Sequence, residues 1–258
     1  MISAAFSGAV AAAGRSPEPI FADALYSFDA NQAGGQTGTL LVTLNNVGSI
    51  PASDFISDMP MITSPSVELV AFAGGHKSIN FDGANDRMEL QDSLTTMDFV
   101  NRTGMFHFYF VMRFDAFTFP FSYPFANAET GTEVGFAMYT AASRKLGFIM
   151  FKGNGTNHVG IEMPENIQIG RTYLIDISGD GTTCYIKIDN GAQQTAAFGN
   201  LPFNAGANPF SKTNIGQLLS DVAQDIGVSR VLVYTSKRSA GVNNQIRAAM
   251  AARYGMAV

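Results

Sequence analysis

The run Met105-Phe106-His107-Phe108-Tyr109-Phe110-Val111-Met112-Arg113-Phe114 is apolar at every second position. Phe106, Phe108, Phe110, Met112 and Phe114 fall on one side, and His107, Tyr109, Val111 and Arg113 on the other. Successive side chains of a strand point to opposite faces, so this period predicts a β-strand with one face that must be buried. The alternation recurs in Val159, Ile161 and Met163 against His158, Gly160 and Glu162, and in Cys184, Ile186 and Ile188 against Tyr185, Lys187 and Asp189. Gly179-Asp180-Gly181 joins the run 172–178 to the run 183–189, and Asp189-Asn190-Gly191 supplies residues that tolerate the positive φ of a tight hairpin. Short one-faced strands joined by tight turns pair antiparallel, and with no alternating long helices and no repeat of fixed period the pattern argues for two packed sheets. The predicted fold class is therefore all-β, a two-sheet antiparallel β-sandwich of the jelly-roll kind.

Working outward, the C-terminal end changes period. Val242, Ile246, Ala249, Met250 and Arg253 stand at helical spacing, with Ser239 placed to cap the start and Gly255 the end. The narrow, Ala-rich stripe predicts a single helix against the edge of the sandwich or a loop. Thr39 to Leu44 and Val67 to Phe72 read as strands, while Pro51, Pro60 and Pro65 between them predict a long surface excursion. At the start, Met1 to Gly14 is apolar, has no Lys or Arg and is too short to span a bilayer. It reads as an arm or short helix, with processing after Ala13 and export as the alternative. Arg15-Ser16-Pro17-Glu18-Pro19 breaks any helix, so the expected organisation is an arm over 1–19 and one sandwich domain over 20–258.

Composition limits the chemistry. A formal net charge of −5 leaves no basic surplus for phosphate, so nucleic acid is not an expected partner, and membrane insertion is not expected either. One cysteine, Cys184, can form neither an internal disulfide nor a zinc site, and Cys184 alternates with core residues. Asp82, Asn85 and Asp86 carry oxygens that could face calcium, but they sit in an apparent hairpin from Phe81 to Leu90, where Asp and Asn bond the turn backbone. No metal and no cofactor are expected.

No motif for a nucleophile stands out: there is no G-x-S-x-G elbow, no H-E-x-x-H, and no Glu-x-Asp-x-x-Glu run to set two carboxyls across a glycosidic bond. No catalytic residues are assigned. What remains is the non-core side of the central strands, where His107, Tyr109 and Arg113 would lie near Tyr185 and Lys187 if their strands share a sheet. Aromatic rings stack on sugar CH groups while Arg, Lys and His donate to hydroxyls, so these five residues are the candidate ligand-binding row.

The order of segments adds a resemblance. Ser78-Ile79-Asn80-Phe81-Asp82-Gly83-Ala84-Asn85-Asp86 is followed by the 105–114 strand, then 145–152, then Gly170-Arg171-Thr172-Tyr173 leading to Cys184-Tyr185-Ile186-Lys187-Ile188-Asp189-Asn190-Gly191. Ile215-Gly216, Asp225-Ile226-Gly227-Val228-Ser229-Arg230-Val231-Leu232-Val233-Tyr234 and a helix ending Ala251-Ala252-Arg253-Tyr254-Gly255 close the series. Over about 67–258 this resembles the concanavalin A-like lectin/glucanase superfamily, in particular LamG-type jelly rolls. Domains of that family recur in bacteriophage virion proteins, bacterial adhesins and glycoside hydrolases. The chain departs from the hydrolase branch by lacking its acidic triplet, and it has Tyr26, Phe28 or Tyr173 where relatives often carry Trp. The resemblance implies a non-enzymatic structural protein of a phage virion, a head decoration, fibre or tail component. Its arm would dock on other virion subunits, the chain would form a homo-oligomer, and the sandwich would contact subunits or a host-surface glycan. The alternative is a secreted or surface bacterial carbohydrate-binding module, and a weaker one is a glycoside hydrolase.

Overall fold

The computed structural model describes residues 21, 23–32, 39–40, 43–44, 55–57, 68–84, 86–90, 93–117, 121–128, 132–199, 209, 212–216 and 225–257. The expected arm over 1–19 lies outside the described residues. In chain order the first strands are β1 (Tyr26–Asp29), β2 (Thr39–Leu40), β3 (Thr43–Leu44), β4 (Phe55–Ser57), β5 (Glu68–Ala71), β6 (Lys77–Asp82) and β7 (Met88–Leu90). Two short helices, α1 (Ser93–Thr96) and α2 (Phe99–Thr103), lead into β8 (Met105–Phe114), β9 (Phe121–Ala126), β10 (Val134–Ala141) and β11 (Lys145–Lys152). Then come β12 (Asn157–Asn166), β13 (Thr172–Asp180), β14 (Thr183–Ile188), β15 (Gln194–Ala197), β16 (Asn214–Ile215), β17 (Asp225–Tyr234) and the helix α3 (Ala240–Tyr254).

The strands form two antiparallel sheets. Sheet A runs β15-β14-β13-β8-β17-β6-β5-β2, with β1 paired to β17 alongside. Sheet B runs β12-β11-β10-β9-β16-β7-β4-β3. The two-sheet sandwich expected from the alternation is the observed fold. The Phe-rich side of β8 faces sheet B: Phe106 and Phe108 meet Phe148, and Phe108 and Phe110 meet Phe125, at ring separations between 5.0 and 6.2 Å. Tilted and edge-on contacts of this kind set each ring edge against a neighbour's electron-rich face, which adds to the burial of their area.

Two local expectations are corrected. Phe81 to Leu90 is not a hairpin, because β6 pairs with β17 in sheet A while β7 pairs with β16 and β4 in sheet B. The turn carries the chain across the sandwich. Gly83 stands there at φ 73°, and a Cβ would come within 2.9 Å of the Asp225 nitrogen, so the chain can pass β17 only without a side chain. Asp82 accepts from the Ala84 N–H and Asp86 from the Asp82 N–H, which is turn bonding as expected. The stretch between Leu44 and Val67 contributes β4 to sheet B, so it is not wholly a surface excursion.

The helix α3 forms where its caps predicted. The Ser239 hydroxyl accepts from the Val242 N–H, and Gly255 ends the helix in the left-handed conformation. Its position differs from the expectation: it lies across the outer face of sheet A, not at an edge. Ile246, Met250 and Tyr254 pack with Tyr109 and Val111 of β8, Leu174 of β13 and Leu232 and Tyr234 of β17. The molecule is thus layered helix, sheet A, sheet B, and both sides of β8 are buried.

Candidate functional site

Of the five residues singled out from the sequence, the structure gathers two beneath α3. His107 and Tyr109 are fully buried, so neither meets a ligand from solvent. The Arg238 N–H donates to His107 Nδ1 at 3.0 Å. That leaves the hydrogen on Nε2, which donates to Asp176 Oδ1 at 2.7 Å. Tyr109 donates to Asn243 Oδ1 at 2.9 Å, and Asn243 and Arg247, both on α3, reach Asp176 Oδ2 at 3.1 and 3.3 Å. Burial by itself would raise the Asp176 carboxyl; the His107 bond, with Arg247 and Asn243, outweighs it and holds the group below its ordinary range. Burial, then the Asp176 charge, push the Tyr109 hydroxyl up. This polar cluster fastens the helix to the sheet.

Of the other three, Tyr185 and Lys187 stand on β14, one strand beyond the cluster, and Arg113 stands away from it. Arg113, toward the far end of β8, forks onto Asp115 at 2.6 and 2.8 Å and lies over the Phe72 ring. Tyr185 donates to Asp180 Oδ2 at 2.6 Å, with Lys237 Nζ 3.1 Å from its ring centroid. Lys187 is half-buried, opposite Asp176 in the β13–β14 register. The five do share sheet A, as the sequence reading supposed, but β13 separates β8 from β14. His107, Ser178 and Tyr185 form one cross-strand row and Tyr109, Asp176 and Lys187 the next, but the burial of His107 and Tyr109 keeps the expected row from being one open surface.

Among the described residues sheet B carries the more open outer face, although Ala126, Ala137 and Phe151 on it are buried. Phe136 and Met138 of β10 and Phe148 and Met150 of β11 point into the core, so Tyr139, Lys145, Gly147 and Ile149 point out. Phe121 is 52% exposed, and its ring lies 6.1 Å from that of Tyr139. Gly147 is the reason Tyr139 can lie flat on the sheet, since a Cβ there would collide with its ring. On the strands alongside, Lys145 Nζ stands 3.8 Å from Glu162 Oε1. Tyr139 stands opposite Gly147 and Gly147 opposite Glu162, so ring and carboxylate share one cross-strand row, and burial, then Glu162 and Tyr123, push the Tyr139 hydroxyl up. The result is an aromatic platform with a cation and a carboxylate at its rim, spread over β9 to β12. The sequence signal for it was the alternation of Phe136, Met138 and Thr140 against Ala137 and Tyr139, with Gly147 facing them.

No family model matches the chain, and no match is found among curated proteins. Solved structures do match in shape. The receptor binding domain of botulinum neurotoxin D superposes with a TM-score of 0.61 at 8% identity, over 90% of this chain and 54% of that one. A mutant of Trypanosoma rangeli sialidase displaying trans-sialidase activity gives 0.58 at 10%, over 90% of this chain and 33% of that one. The CBM40 of a Ruminococcus gnavus IT-sialidase, bound to alpha2,3 sialyllactose, gives 0.53 at 9%, over 67% of this chain and 95% of that one. The chain spans about a third of the sialidase and half of the toxin fragment. At such identity the likeness shows the fold alone, a lectin-like β-sandwich.

Proposed function

We propose that the chain is a carbohydrate-binding module that holds a glycan on the outer face of sheet B without cleaving it. The observation that carries this is the platform of Phe121 and Tyr139 beside Lys145 and Glu162. Pyranose CH faces stack on aromatic rings, and a cation and a carboxylate supply the donor and acceptor that hydroxyls need. The CBM40, bound to alpha2,3 sialyllactose, and the receptor binding domain of the toxin share the fold, and this favours the binding-module alternative drawn from the sequence. Binding without turnover fits Glu162, whose carboxylate is matched to Lys145 and not to a second carboxyl across a scissile bond.

Membership of the LamG branch, the virion placement, arm-mediated docking and homo-oligomer formation rest on the sequence resemblance alone. Mass spectrometry of purified particles, against processing after Ala13 and recovery outside the cell, separates a virion subunit from a secreted module. A glycan array with the full chain tests the binding itself. Hits that disappear in Tyr139→Ala, with an unchanged unfolding midpoint, are expected; hits indifferent to Tyr139 would remove the platform from the function.

A further inference from the structure

Where β12 leads into β13, the connecting turn and the residues after β14 line a half-open cavity of about 250 Å³. Glu165, Asn166, Arg171, Asp189 and Asn190 form its polar wall, with Ile167 and Ile188 as an apolar surface. The wall is built to be rigid. Asp189 sits in the left-handed region at φ 46°, uncommon for a residue with a side chain. It is held there by the Leu174 N–H on Oδ1 at 2.8 Å, its own N–H on the Leu174 carbonyl at 2.9 Å, and the Arg247 guanidinium on its carbonyl. Its second oxygen accepts from Arg171 Nη2 at 2.7 Å, and Arg171 also lies 4.8 Å from the Tyr173 ring centroid. Fixed on two sides, Arg171 is still about half exposed and keeps further N–H donors for a ligand.

From this geometry we infer that the cavity takes one neutral pyranose ring. Fixed donors and acceptors around an apolar wall suit a ring that has hydroxyls at its edge and CH groups on its face. The volume lies below the roughly 300–1,000 Å³ of sites for larger ligands, which suits one ring and not a chain. Two carboxylates against one guanidinium, on a chain of net charge −5, oppose an anionic sugar. Asn166 pairs across the sheet with Lys145, whose amine also faces Glu162 at the platform rim, so the cavity adjoins the platform. A glycan lying on sheet B would place its terminal ring here. The inference deepens the carbohydrate-binding reading and rests on it.

The test is titration of the full chain, by calorimetry and amide NMR, with methyl glucopyranoside, methyl galactopyranoside, methyl mannopyranoside and N-acetylneuraminic acid. At least one neutral glycoside should shift the amides of Arg171, Asn190 and Gly191 and bind about tenfold or more tighter than the acidic sugar. Asn190→Ala, at an exposed turn, and Arg171→Ala should each weaken it about tenfold. Equal or tighter binding of N-acetylneuraminic acid, or neutral binding indifferent to both cavity variants, would overturn the inference. If no monosaccharide binds but longer glycans bind through Tyr139, the cavity falls and the platform stands. If no glycan of any length binds, both fall.

Discussion

Asp176 is a fully engaged carboxylate, bonded to a histidine of its own sheet and to an asparagine and an arginine of the helix above. Removing it leaves buried Arg247 without the carboxylate it bonds and His107 Nε2 without an acceptor. Asp176→Ala is therefore expected to cost about 3–5 kcal/mol in urea unfolding, the range for breaking a buried ion pair from one side. His158 behaves differently: burial first, and Lys152 second, depress it from 6.5 to about 4. Between those values the unfolded chain takes up a proton that the folded chain refuses, so stability present above pH 6.5 is lost as pH falls toward 4. Unfolding midpoints measured across that window should decline in the parent and stay flatter in His158→Gln. On the outer face of sheet B, Gly147→Ala should displace the Tyr139 ring and weaken glycan binding, with circular dichroism unchanged. None of these roles was legible residue by residue. His107 and Tyr109 read as an outward row because alternation tells which residues share a face, while only the covering element tells whether that face is wet.

At the scale of elements, α3 shows the same division. Its existence and both ends followed from Ser239, the spacing of Ile246 and Met250, and Gly255, all of them local signals. Its docking place depended on residues far away in the chain, among them Asp29, which accepts from Arg253 of α3 at 2.6 Å and faces Arg230 of β17 at 2.9 Å. A chain ending at Ser236 would expose Tyr109, Val111, Leu174, Leu232 and Tyr234 together. That truncation is expected to bind a hydrophobic dye and lose its sharp thermal transition; a truncated chain that melts like the parent would mean the helix is an ornament. The Phe81 to Leu90 turn was misread for a related reason. Asp-Gly flanked by apolar residues signals a reversal, but whether the second strand returns along the first or crosses to the opposite sheet is settled by what each strand can pair with, here β17 and β16.

Over the whole molecule, β17 is the keystone. It pairs with β8 on one side and with β6 and β1, end to end, on the other, so residues from 26 to 234 meet on one strand. Closing such long loops must precede the contacts that repay them, and folding should be slow, on the scale of milliseconds to seconds or longer, in stopped-flow refolding. A microsecond phase with full amplitude would contradict this topology. The chain has no tryptophan, so tyrosine emission and far-ultraviolet circular dichroism are the probes to compare.

The period of two, the turn residues and the helix caps determined without any structure that this chain is a sandwich of antiparallel sheets with one closing helix. These are short-range properties: each is set by neighbours within a few positions, through the geometry of strand, turn and cap. The tertiary structure decided which outer face the helix seals, and so moved the proposed binding surface from the residues of β8 and β14 to Tyr139 and its neighbours on sheet B. A side chain's access to water depends on what the distant chain lays over it, and that is decided only when the layers pack.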